Sequence, residues 1–160
     1  YRQAYRVLKS LGHLVVPVKM DRYGMDVLDL EQSKTQAAYV MPSHQYPTGI
    51  VMPVKRRQEL LSWAYRGENR YVIEDDYDSE FRYKGRPIPA LQGMDQGEGS
   101  FIWGHFHVPL PRRSAWDLLV LPGELLSRYR SQADFMPVRF HGSIRRCCII
   151  LLQAGIMSAI

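Results

Sequence analysis

Short apolar runs separated by helix-period segments dominate the first hundred residues, and this alternation leaves few folds open. Residues 14–18, 37–41, 71–73 and 101–103 are apolar and strand-like, while residues 1–11, 27–32 and 53–66 read as helices. Tyr1, Ala4, Tyr5, Leu8 and Leu11 form the first helical stripe, with Gly12 as its stop. Leu60, Leu61 and Ala64 form one face of the third helix, and Asp21, Arg22, Tyr23 and Gly24 read as a turn. Apolar strands alternating with amphipathic helices predict an α/β fold, a mostly parallel sheet with flanking helices. Ligands of such sheets gather at the carboxyl ends of the strands.

Two segments at predicted strand ends carry unusual chemistry. After Tyr71, Val72 and Ile73 come Glu74, Asp75, Asp76, Asp78 and Glu80, five carboxylates in seven residues. Negative charge at the end of a buried strand is costly unless water, a cation or a ligand takes it up. A carboxylate held there, Asp75 above all, can keep a heterocyclic nitrogen protonated where water is excluded. Asp78 and Glu80 read as a solvated loop. The other segment is MPSHQYPTGIVMP, residues 41–53, where two prolines, Thr48 and Gly49 fix a turn and Ser43, His44, Gln45 and Tyr46 supply donors and a ring. By itself it reads equally as a structural loop before a helix or as the wall of a site.

Composition sets outer bounds. The 160 residues are 46% hydrophobic, enough for one compact domain, and a disordered class is excluded. The net charge of +5 is spread along the chain apart from Arg112-Arg113 and Arg145-Arg146, and no helix-turn-helix or finger pattern accompanies it. Cys147 and Cys148 are adjacent, which gives neither a disulfide framework nor a zinc spacing, so a reducing cytoplasm is expected. His105 and His107 alternate on an extended segment without a third ligand nearby, so no metal is expected. No signal peptide is evident, and the apolar run at 148–152 is too short to cross a bilayer.

YVMPSHQYPTGIVMPVKRR, followed some twenty residues on by VIEDDYDSEFRYKGRPIPALQGMD, resembles the aminotransferase-like domain of MocR/GabR-type bacterial regulators of the GntR family. Those proteins join a winged helix-turn-helix to a fold-type I domain dependent on pyridoxal phosphate. The resemblance runs from Tyr1 to about Trp103 and implies a partial large domain of that fold. It implies that Asp75 pairs with the pyridinium nitrogen of the cofactor, making the ring an electron sink, and that Tyr77 bonds its phenolic oxygen. The loop carrying His44 and Tyr46 would lie beside the ring. It further implies a homodimer, a small amino compound as ligand, and DNA contact only through a winged-helix domain that this chain lacks.

Past the acidic loop the family continues with GTFSKSLAPSLRIGY, whose lysine anchors the cofactor covalently. This chain reads GHFHVPLPRRSAWDLLVLP, which aligns Val108 with the lysine and Ala115 with a phosphate-site arginine. Valine cannot form a Schiff base. Read one nucleotide earlier, however, the codons of residues 101–117 can spell Tyr-Leu-Gly-Thr-Phe-Ser-(Cys or Arg)-Ser-Leu-Ala-Pro-Ser-Leu-Arg-Met-Gly, and the family segment returns without its lysine. Residues 147–160 can likewise be re-read as Leu-Leu-His-Asn-Phe-Ile-Ala-Gly-Gly-His-Tyr-Glu-Arg-His, similar to the family's FI..GHYERH helix. The expectation is a gene fragment with a compensated frameshift over 101–117 and an uncompensated one before 147.

The expected organisation is therefore a partial aminotransferase-like large domain over 1–122, divergent at 104–117, and the start of a C-terminal part over 123–160. Its tail from about 138 is expected to be non-native and, from Cys147 onward, to lack a designed partner. Three readings of function stay open: a regulator fragment with part of a pyridoxal phosphate site, an aminotransferase, or an inert or interaction-only α/β piece. The missing lysine argues against catalysis.

Overall fold

The computed structural model describes residues 1–76, 88–96, 100–107, 115–133 and 148–153. Its centre is a five-stranded sheet in the order β3 (Ala37–Val40), β4 (Tyr71–Asp76), β5 (Ser100–His107), β6 (Ala115–Leu121), β7 (Cys148–Gln153). The pairings β3–β4, β4–β5 and β6–β7 are parallel, and β5–β6 alone is antiparallel. A mostly parallel α/β sheet is thus present. A small antiparallel pair, β1 (Met20–Asp21) with β2 (Gly24–Met25), encloses the predicted turn.

Helix α3 (Val54–Tyr65) covers one face of the sheet, because its buried positions Arg57, Leu60, Leu61 and Ala64 fall on a single stripe. Leu60, Leu61 and Ala64 meet Ala38, Val40 and Val72, the inward residues of β3 and β4, and with Leu30, Met52, Trp63 and Leu91 they make up the core. Leu30 comes from α2 (Val27–Gln32), whose N-cap Asp26 accepts from the Leu28 amide at 2.8 Å. Leu91 opens the one-turn α4 (Leu91–Met94). Helix α5 (Gly123–Ala133) follows β6 and buries Leu126.

Two sequence expectations are corrected here. Residues 14–18 are not a strand: no strand lies beyond β3 among the described residues, so this apolar stretch has no ladder to join, and Leu14 is 88% exposed. Together with α1 (Arg2–Ser10), it walls a groove over the sheet face opposite α3. The apolar tail is not wholly partnerless either, since β7 pairs with β6 in register from Trp116↔Cys148 to Leu121↔Gln153. The remainder of that tail, 138–147 and 154–160, lies outside the described residues.

Candidate functional site

Strand β4 runs three residues further than its apolar start predicts, through Glu74, Asp75 and Asp76. The alternation of a strand sends Glu74 to the α3 face and Asp75 to the other, and each finds a partner that makes the extension possible. Asp75 accepts a hydrogen bond from the hydroxyl of Tyr39 on β3. Tyr39 pairs with Ile73 across the parallel ladder, so Tyr39, Ile73 and Asp75 share one face. Burial, reinforced by the Asp75 carboxylate, holds the Tyr39 phenol above its ordinary range, so it stays a donor.

That face opens into a groove of about 790 Å³ between α1, residues 13–18 and the sheet. Tyr1, Tyr5, Val16, Tyr39, Gln45 and Ile73 are among its walls. Asp75 lies beyond this lining, and Tyr39 is the side chain shared by the groove and the carboxylate.

The 43–50 loop borders the same groove through Gln45. It is a self-bonded turn: the Gln45 amide donates to Ile50 at 2.9 Å, the Gly49 amide to the Gln45 carbonyl at 2.8 Å, and the Met52 amide to Pro42 at 2.9 Å. The Tyr46–Pro47 peptide is cis, and Gly49 has φ +72, a left-handed conformation that favours glycine. A Cβ at Gly49 would also lie 3.4 Å from Nε2 of His44, which packs across the turn. Tyr46 stands edge-on to Tyr1, ring centroids 5.9 Å apart. The described contacts therefore give Asp75 the hydroxyl of Tyr39 as its neighbour, while His44 turns to Gly49 and Tyr46 to Tyr1. Tyr77 and Val108 lie outside the described residues.

On the opposite face Glu74 is fully buried beside Arg57, with Nη1 3.7 Å from Oε1. The Arg57 guanidinium also donates to the carbonyls of Met52 (3.1 Å), Pro42 (2.9 Å) and Pro89 (3.0 Å). The other Glu74 oxygen accepts from the Leu91 amide at 2.8 Å. Burial pushes the Glu74 carboxyl up to about 7, against the opposing pull of Arg57. Removing one partner of such a pair strands the other and typically costs about 3–5 kcal/mol. Reading the sequence for charge alone finds Glu74 only as one acid of a run, and it overlooks Arg57 and Tyr39. The signal was in the periodicity: Arg57 stands three, four and seven residues before Leu60, Leu61 and Ala64, and Glu74 two after Val72.

What the sheet end offers chemically is a carboxylate, oriented by a phenol, at the carboxyl end of a parallel strand and next to a mostly apolar groove. That arrangement suits a flat, nitrogen-containing ring. Among the described residues there is no cluster of three metal-ligating side chains, and no helix is long and apolar enough to cross a membrane.

No family model matches the chain. It is 38% identical over 136 residues to the HTH-type transcriptional regulator YhdI of Bacillus subtilis, covering 85% of this chain and 29% of YhdI. It is 33% identical over 130 residues to the probable rhizopine catabolism regulatory protein MocR of Rhizobium meliloti, covering 81% of this chain and 26% of MocR. The chain belongs with the aminotransferase-like part of the MocR-type regulators. It spans less than a third of the length of either relative. Among solved structures, an archaeal alanine:glyoxylate aminotransferase matches with a TM-score of 0.71 and 26% identity, over 86% of this chain and 36% of that one. The fold is accordingly that of a partial fold-type I aminotransferase domain, and pyridoxal phosphate is the cofactor at the level of the family. These relatives favour the MocR-type regulator reading over the enzyme reading.

Proposed function

We propose that this chain forms the ring-recognition half of a pyridoxal phosphate site within a MocR-type transcriptional regulator, and that it holds the cofactor reversibly and without catalysis. The observation that carries the reading is the Tyr39–Asp75 hydrogen bond at the carboxyl end of β4, beside the groove. Asp75 would pair with the protonated ring nitrogen, Tyr77 would bond the phenolic oxygen, and His44 and Tyr46 would flank the ring from the 43–50 loop. When bound, the cofactor supplies an electron-withdrawing ring; the chain supplies charge, orientation and exclusion of water. The residues fit the ring and not its covalent attachment, since the family resemblance aligns Val108 with the lysine.

With the anchor gone, affinity rests on an ion pair and a few hydrogen bonds, and a dissociation constant of about 1 mM or weaker follows. The whole protein would act as a cytoplasmic homodimer that answers an amino compound and meets DNA through a winged-helix domain. We further read residues 104–117 and the tail from about 138 as translated out of frame. Codons incompatible with the shifted readings would end that part of the proposal.

Titration of the purified chain with pyridoxal phosphate, followed by absorbance and borohydride treatment, tests the reading. The expected result is weak, fully reversible binding that is lost in Asp75→Ala and leaves no reduced adduct at position 108. Saturation that is indifferent to Asp75→Ala, or no binding up to about ten times the expected constant, overturns it.

A further inference from the structure

We infer that Arg57 is a positioning residue for this site: its guanidinium clamps both stems of the 43–50 loop to the buried side of the strand whose opposite face presents Asp75. The inference deepens the proposed cofactor reading and rests on it for the ligand, though not for the clamp. Pro42 and Met52 are the two stems, and each gives its carbonyl to Arg57, at 2.9 and 3.1 Å. The stems are bonded to each other by the Met52 amide and the Pro42 carbonyl. The third carbonyl, Pro89 at 3.0 Å, belongs to the segment that returns to the core just ahead of α4. Glu74 completes the assembly from β4, accepting from Leu91 in that same segment and standing next in sequence to Asp75.

One side chain therefore ties together the loop that flanks the groove, the strand end that carries the carboxylate, and the returning segment. A planar, five-donor cation can do this, whereas a lysine ammonium cannot reach three divergent carbonyls at once. Buried ion pairs are often replaceable by apolar residues without loss of stability. An apolar pair can therefore stand in for the charges but not for the bonds to the loop stems, so a positioning role shows in the loop rather than in the charge balance.

The test uses the full chain and three variants: Arg57→Met, Arg57→Lys, and the double variant Arg57→Met/Glu74→Leu. Hydrogen exchange is read at the Gln45, Gly49 and Met52 amides, with the Ala64 amide of α3 as control, alongside urea midpoints and pyridoxal phosphate titrations. The expected result is that the double variant regains only part of the midpoint lost in Arg57→Met, because the apolar pair removes the stranded charge but not the unbonded carbonyls. Its three loop amides nonetheless exchange at least tenfold faster than the parent's with Ala64 unchanged, and its ligand affinity falls about tenfold. Arg57→Lys, which keeps the charge beside Glu74, should show the same loop acceleration, and it carries the test if Arg57→Met does not fold. Parent-like loop exchange in the double variant, or full rescue by Arg57→Lys, overturns the inference, as does unchanged ligand affinity in a variant whose loop has loosened. If the parent chain binds no pyridoxal phosphate, the proposed function fails, and the exchange data alone decide the clamp.

Discussion

The hydroxyl of Tyr39 donates to the carboxylate of Asp75 from the neighbouring parallel strand, fixing an acid that would otherwise be free to rotate at the sheet's end. Tyr39→Phe keeps the ring and removes only the donor. It should lower stability by about 1 kcal/mol and weaken pyridoxal phosphate binding by roughly three- to tenfold. Parallel urea and ligand titrations check both. Unchanged ligand affinity would mean that the phenol plays no part in orienting Asp75.

Asp75→Asn is isosteric, can still accept from Tyr39, and lacks the negative charge. Binding of a cofactor whose ring nitrogen must stay protonated should fall by an order of magnitude or more, while the urea midpoint moves little because Asp75 is only partly buried. Equal affinity of the variant and the parent across pH 6 to 8 would sink the ion-pair assignment.

Glu74 predicts a pH dependence of stability. Its carboxyl titrates at about 7 in the fold against a reference value of 4.5, because burial penalises the charged form more than Arg57 favours it. The folded state therefore binds the Glu74 proton more tightly than the unfolded chain does. Glu74's contribution is full below about pH 4.5 and declines as pH rises to about 7. Glu74→Gln removes this loss, so the stability difference between parent and variant should shift in the variant's favour between pH 4.5 and 7. Urea denaturation at pH 5 and pH 7.5 measures it, and a difference independent of pH would contradict the raised carboxyl.

Gly24 has φ +105, and a Cβ there would sit 3.0 Å from Cε of Met52 in the core. Gly24→Ala should be destabilising by about 1–2 kcal/mol, the combined cost of a strained backbone and a crowded methionine. Thermal unfolding of the two proteins compares them directly, and an equal or higher midpoint for the variant would refute the strain.

The alternation of apolar strands and amphipathic helices was enough to read the fold class and the places of α1, α2, α3, β3 and the start of β4. Its failures have one cause, which is that a sequence window does not reveal partners. Residues 14–18 have a strand's composition but no neighbouring strand to bond with. Glu74, Asp75 and Asp76 have a loop's composition, yet they extend β4 because Arg57 and Tyr39 lie within reach of the first two, from a helix and a strand well separated from them in sequence. In the same way Asp75 was identifiable as a candidate from its place at a strand end, while Tyr39 looked like one more apolar residue of β3. Its role came from the register that sets Tyr39 beside Ile73.

The single antiparallel pairing, β5 with β6, divides the sheet into two blocks of opposed polarity. Strands β3, β4 and β5 deliver their chain ends to the rim where Asp75 lies, whereas β6 delivers α5 to the far rim. A small label carried on the first turn of α5, at the exposed Glu124, would thus sit on the rim opposite Asp75.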